Sequence, residues 1–366
     1  MSEAFTIYMD ESGFTGEYLM AADQPIFVHA STALSNERCK ELHTEFFRDN
    51  QAPELKHGVI ARRPAGRDRI VRFIQAIHEH DRSAFTTWVV HKEFMMLTKL
   101  VDLWTEYAAY RDGVDLYKDG AHLALSNMAY FCLRTFESPE FLHGHLVRFQ
   151  NMMMKRTPAA YREFWRHLYA DFDRVDKRTR DILVFFLAGE RLGFGHLVGL
   201  PERSVDPAMP GAVFTFGHWR RMTKLPLALV HDRSSSMAKD LELWKLVTSP
   251  AIDEMTLGVP DRELIYPLNV RTTALEDSRS FLQLQFCDLL AGASVAWARR
   301  FAGPNHDREY HDRLTAAGIE DFKIGTIWPE LEVRPDELRT RGMTGEFIDT
   351  LAEQLRKVDA AKKSEL

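Results

Sequence analysis

The sequence predicts an α/β fold: one domain interrupted by a long, mainly helical insertion. Two observations predict it. Short apolar runs bounded by turn residues cluster toward both ends of the chain, as strands do. Between them, from His91 to about Leu197, the chain is aromatic-rich and helical in texture, with Pro139 and Pro158 as its punctuation. The expected division is residues 1–90 and 216–345 for the α/β domain, 91–215 for the insertion and 346–366 for a charged, solvated C-terminal helix.

Phe5–Met9 is apolar and stops at Asp10-Glu11-Ser12-Gly13, so it reads as strand then turn. Pro25–Ala30 follows as a second strand. A helix opens at Ser35 or Asn36, either of which can cap it, and runs to about Asp49. Another covers Gly66–His80. Ala84–Val90, rich in β-branched and aromatic residues, is a strand. Beyond the insertion, Gly211–Phe216 restarts β structure, Leu225–His231 and Leu264–Val270 are strands, and Phe281–Arg300 is a helix. Phe281–Ala298 is also the most membrane-like stretch, but Gln283, Gln285 and Asp288 within it favour a buried helix of a soluble protein.

With 366 residues, 45 % of them hydrophobic, the chain can build a large core, and its mean hydropathy of −0.29 is that of a soluble globular protein. Cys39, Cys132 and Cys287 form neither a zinc pair nor a disulfide framework. The opening MSEAFTIYMDESG has no basic, apolar leader pattern, so a cytoplasmic location and no membrane partner are expected. A net charge of −6 argues against blanket affinity for polyanions. Locally the balance reverses: between Arg148 and Arg180, nine Lys/Arg against four Asp/Glu give +5.

Three aspartates stand out. Asp10, with Glu11 beside it, and Asp232, after Leu227–His231, both follow strands, where open α/β sheets place ligands. Each taken singly is explained equally well by an Asx turn or a helix cap. Asp288 is the only charged residue between Phe281 and Ala298. A buried carboxylate costs several kcal/mol unless it finds a cation, a proton or a set of donors. Gln285, one turn earlier, can orient it or touch a substrate. Hard oxygen ligands of this kind suit Mg²⁺, with Mn²⁺ as a substitute, and two such ions can clamp the oxygens of a phosphoryl transfer.

These residues fall into four motifs in a fixed order. Tyr8-Met9-Asp10-Glu11-Ser12-Gly13 comes first, then Glu54-Leu55-Lys56, then Val230-His231-Asp232. The last is Asp277-Ser278 followed by Gln285-Phe286-Cys287-Asp288-Leu289-Leu290-Ala291-Gly292. The set resembles the bacterial and phage family numbered 3800 among domains of unknown function, whose fold is similar to ribonuclease H. The resemblance covers roughly residues 4–100 and 220–300. Arg233 stands where an acidic residue often follows the H-D pair. The resemblance implies a mixed sheet flanked by helices, with Asp10 on the central strand, Asp232 on its neighbour and Asp288 on the closing helix.

The expectation is a metal-dependent nuclease cleaving RNA or DNA with two Mg²⁺ ions bridged by Asp10, with phage defence as a setting by family association. Asp10, Asp232 and Asp288 would hold metal, with Glu11 and Glu54 also catalytic. Lys56, Gln285, Arg162 and Arg166 would bind substrate. Arg148, Lys155 and Arg156 add charge for phosphates, and Tyr161, Phe164, Trp165 and Tyr169 either form core or stack bases. The alternative is a catalytically silent module that binds nucleic acid or a partner protein through the insertion, which could equally serve homo-oligomerisation. His78/His80 and His143/His145 read as solvated histidines.

Overall fold

A computed structural model describes residues 4–117, 120–233, 235–257, 264–303, 306–331 and 357; the expected C-terminal helix from Glu346 falls outside the described residues except at Lys357. Eight strands are described: β1 (Phe5–Ser12), β2 (Ile26–Thr32), β3 (Phe85–His91), β4 (Leu227–Asp232), β5 (Met255–Leu257), β6 (Leu264–Tyr266), β7 (Val270–Glu276) and β8 (Lys323–Ile327). Six of them form one mixed sheet in the order β7-β4-β1-β2-β3-β8, and β5 and β6 pair separately. Only β2 runs against its neighbours; β1, β4 and β7 are mutually parallel.

The helices preceding β3 are α1 (Asn36–Phe46), α2 (His57–Ile60) and α3 (Pro64–His80). Ser35 caps α1 by accepting from the Arg38 N–H, as the sequence suggests. Between β3 and β4 come α4 (Lys92–Leu100), α5 (Tyr107–Arg111), α6 (Ala121–Phe136), α7 (Pro139–Lys155), α8 (Pro158–Arg174), α9 (Lys177–Leu187), α10 (Gly193–Gly199) and α11 (Ala208–Met222). After β4 follow α12 (Ser235–Lys239), α13 (Leu241–Val247), α14 (Leu282–Ala298) and α15 (Arg308–Ala316).

Because side chains alternate along a strand, the sheet buries two faces. On one, Ile26, Val28 and Ala30 of β2 meet α1, α3, α14 and α15 in a single core. Alternate residues Ile7 and Met9 of β1, with Leu227 and Leu229 of β4, pack against Phe216 and Trp219 of α11 on the other. The long helical segment shares its core with the sheet as well, through Phe27, Trp88 and Val90. Helix α14, apolar all round, is buried along nearly its whole length against β1 and β2. Among the described residues one helical run, Lys177–Gly199, is long and apolar enough to cross a membrane, yet it is split by a 3₁₀ turn and buries Leu183, Phe186 and Leu197 in the core.

Several expectations need correction. Gly211–Phe216 is helix, not strand. Gly211, Thr215 and Trp219, with Ala212 and Phe216, repeat at helical spacing and are all buried, whereas the short window alone looked alternating. The Leu264–Val270 strand is two strands: Pro267 lacks an N–H, Asn269 turns the chain with a φ of 55°, and β7 then starts at Val270. Of the two readings offered for the α8 aromatics, core holds for Phe164 and Trp165, which are buried, and Tyr161 donates to the Glu190 carbonyl. His145 is buried beside Asp171, not solvated, and His78 pairs with Asp321.

Candidate metal centre

Register builds the site. β1 and β4 are parallel, with Tyr8 beside Val230 and Met9 beside His231, so Asp10 and Asp232 come next at the same level. Both point to the face that α14 covers, where Asp288 sits. The turn that ends β1 just beyond Asp10 depends on Gly13, whose φ is 75° and where a Cβ would lie 2.1 Å from the Ile26 carbonyl oxygen.

Each of the three aspartates has one oxygen fixed by a backbone N–H. Glu11 donates to Asp10 Oδ1 at 2.8 Å, Ser278 to Asp232 Oδ1 at 3.1 Å, and His57 to Asp288 Oδ2 at 2.8 Å. The second oxygens of Asp10 and Asp288 are left for a cation, while that of Asp232 meets Lys56. Lys56 Nζ lies 3.5 Å from Asp232 Oδ2 and 4.0 Å from Glu54 Oε2. Among the described residues it is the only cation paired with any of the four carboxylates, and four acids around one ammonium leave an excess of negative charge.

The electrostatics follow. Burial, reinforced by Glu11 and Asp288 and opposed by Lys56, holds the Asp10 carboxyl well above its ordinary range. Asp288 is raised too, chiefly by burial, with Lys56 and the His57 N–H opposing. Lys56 is raised despite burial, because Asp10, Asp288, Asp232 and Glu54 together outweigh it. Carboxylates that resist ionising in the bare protein are what a divalent cation would relieve, and hard oxygen donors fit Mg²⁺.

Two expected site residues act otherwise than predicted. Gln285 spends both ends of its amide on the backbone: Oε1 accepts from the Leu55 N–H at 2.8 Å, and Nε2 donates to the Ser278 carbonyl at 2.9 Å. It is buried and clamps the Glu54–His57 segment to the Ser278 turn, the orienting role rather than an open contact surface. Glu11 points to the opposite face from Asp10, as successive residues of a strand must, and meets His231 at 3.2 Å. It therefore lies outside the carboxylate cluster in which the sequence placed it as a catalytic residue.

Glu54 is drawn into the site by Ser278, whose hydroxyl donates to its Oε2 at 2.8 Å. The sequence reading did not give Ser278 this linking role; its position directly after Asp277, opening a turn before α14, was the available signal. Gly292, one turn beyond Asp288, completes the motif. A Cβ there would sit 2.3 Å from the His57 ring, so glycine lets α2 approach closely enough for its N–H to reach Asp288. Arg162 and Arg166 are exposed on α8, and the hydrogen bonds of the site do not extend to them. Arg156 is occupied elsewhere, donating to the carbonyls of Leu197, Val198 and Leu200.

Comparison of the chain with protein-family models, curated proteins and solved structures gave no match.

Proposed function

We propose that the chain is a Mg²⁺-dependent phosphodiesterase of the ribonuclease H-like kind, cleaving RNA or DNA in a reducing, cytoplasmic setting. The observation that supports this most is the convergence of Asp10, Asp232 and Asp288 from a central strand, its neighbour and a closing helix, each with one oxygen already oriented. That is the placement implied by the family resemblance. Outer hydrogen bonds of this sort fix the geometry of metal ligands. Bound Mg²⁺ ions would supply charge to the attacking and leaving oxygens of an in-line phosphoryl transfer.

The chain's own residues prepare that site. Asp10, the most buried of the acids, and Asp288 hold its floor. Asp232 and Glu54 line the more open side, with Lys56 between them. Lys56 offsets part of that pair's charge in the metal-free protein and would meet a phosphate oxygen when substrate enters. Gln285 and Ser278 keep the two walls in register. Arg162 and Arg166 on α8 offer exposed positive charge for tracking a nucleic-acid backbone away from the acids.

The test is cleavage of end-labelled RNA and DNA by purified protein with Mg²⁺, with Mn²⁺ and with EDTA. Cleavage that EDTA and Asp10→Asn both abolish is the expected result. Binding without cleavage under every metal condition would turn the reading toward a silent binding module.

A further inference from the structure

The dipeptides Asp10-Glu11 and His231-Asp232 lie on adjacent parallel strands, so strand alternation sends one member of each to either face. Asp10 and Asp232 face α14. Glu11 and His231 face α11, where they meet His29 of β2, the register partner of Glu11. One ligand atom from each of Glu11, His29 and His231 lies within 4.8 Å of the others. This is a second cluster, directly behind the first and independent of it.

Its hydrogen bonding is incomplete in a specific way. His29 is fully buried, and neither ring nitrogen makes a hydrogen bond of good geometry, its nearest backbone partner being Gly211 of α11. Glu11 Oε2 is also buried without one, although His231 Nε2 stands 3.2 Å away. His231 Nδ1 donates to the Asp232 carbonyl at 2.6 Å, which leaves Nε2 as the ring atom turned toward the Glu11 carboxylate. Burial and His231, opposed by the Gly211 backbone, push the His29 imidazole down to about 3, which keeps that ring neutral. Unpaired buried acceptors are costly, roughly 1–3 kcal/mol each. A cation among them would satisfy all three at once.

We propose that Glu11, His29 and His231 form a transition-metal site, selective for Zn²⁺ over Mg²⁺. Two imidazoles and one carboxylate are a donor set that zinc accepts and that Mg²⁺, which demands oxygen and several waters, does not. Bonds of about 2.0–2.1 Å in a tetrahedron put ligand atoms roughly 3.3 Å apart, close to the Glu11–His231 separation. The His231 Nδ1–H bond to a backbone carbonyl is the outer contact that metal-bound histidines usually make. The ion would tie β4, β1 and β2 together at the level of Asp10 and Asp232. It would thus brace the front site from behind, under the cover of α11 where Gly211 packs against Trp88 and His29.

The test uses the full chain, stripped with chelator and titrated with Zn²⁺ against a chromophoric competitor, then with Co²⁺ for its visible spectrum. Wild type should bind one tight equivalent of Zn²⁺, and its Co²⁺ form should show the intense absorption of a tetrahedral site. Asp10→Asn should retain both. Glu11→Gln, isosteric, and His29→Phe should each weaken Zn²⁺ by about 100-fold or more, at the top of the range for disturbing even an outer contact. The proposal is overturned if wild type takes up no stoichiometric Zn²⁺, if its Co²⁺ form is pale and octahedral, or if Asp10→Asn abolishes binding. It is overturned equally if folded Glu11→Gln and His29→Phe both bind Zn²⁺ as wild type does. None of these readouts depends on nuclease activity, so the front site can fail or stand separately.

Discussion

Asp10→Asn should stabilise the metal-free protein while removing its response to Mg²⁺. Asp10 Oδ1 accepts the Glu11 N–H, and an asparagine carbonyl can keep that bond. What changes is the charge, which burial, Glu11 and Asp288 all penalise and only Lys56 favours. At an effective dielectric constant of about 20, two like charges about 6 Å apart repel by roughly 3 kcal/mol. Set against the opposing Lys56, a net gain of about 1–2 kcal/mol matches what relieving a strained functional site commonly yields. That is a rise of a few degrees in Tm, at roughly 2–4 °C per kcal/mol for a chain somewhat smaller than this one. The pH dependence has a definite sign. Because the folded carboxyl is raised, the native state holds protons more tightly than the unfolded chain. Metal-free wild type should therefore lose stability as pH rises from the ordinary Asp value through the higher folded one, and Asp10→Asn should flatten that fall. Mg²⁺ at about 100 times its Kd should add roughly 2.7 kcal/mol to wild type and little to the variant. Thermal melts in EDTA and in Mg²⁺ across pH measure all of this. A variant less stable than wild type in EDTA, or one that Mg²⁺ still protects fully, refutes the reasoning.

Other perturbations separate positioning from chemistry. Gln285→Leu leaves the Leu55 N–H buried without a partner and the Ser278 carbonyl with only the Phe281 N–H, so stability should fall by about 1–3 kcal/mol in denaturant melts, the cost of one orphaned group. Unchanged stability would return Gln285 to the substrate-binding role. Gly292→Ala should drive the His57 ring off α14 and weaken Mg²⁺ binding by about 10-fold, the lower end of the effect of losing an outer contact; calorimetric titration reads it. Ser278→Ala frees Glu54 and should lower Mg²⁺ affinity by a similar factor while the melt barely moves. Replacing Arg162 and Arg166 together by Ala should reduce single-strand affinity and its logarithmic salt slope by about 0.7 per lost phosphate contact. Equal slopes with a changed oligomeric mass would mark α8 as an interface instead.

Much of this was legible in the sequence, for reasons that can be named. β1, β2, β3, β4 and α14 are each specified locally, by a short apolar run or by a long apolar helix pattern. Asp288 announced itself because one carboxylate in such a helix needs a partner. The edge strand β8 and the helix α15 were not foreseen, since neither carries a strong enough pattern of its own and both are fixed by packing. α11 was misread because six residues are too few to distinguish period 2 from period 3.6 when Gly, Ala, Thr and Phe are mixed. Gln285 was seen on the correct face of α14, but its partners are the backbone of Leu55 and Ser278, and no side-chain pattern encodes a backbone contact.

Glu11 shows the opposite failure, a signal that was present and not used. An acidic pair at the end of a strand cannot deliver both carboxylates to one site, because successive side chains leave opposite faces. The same holds for His231 and Asp232. Since β1 and β4 are adjacent, parallel and in register, the two doublets sort themselves into an oxygen-only cluster under α14 and a mixed nitrogen–oxygen cluster under α11. A slip of one residue between these strands would break both sets together, pairing Asp10 with His231's level and stranding Glu11. The register is held by apolar contacts on either side, Ile7, Met9, Leu227 and Leu229 against α11 and Cys287 of α14 against the Tyr8 carbonyl. The core of the sheet is thus what sets the distance between the aspartates. Substitutions that shift β1 against β4, even far from any carboxylate, should disable both clusters at once.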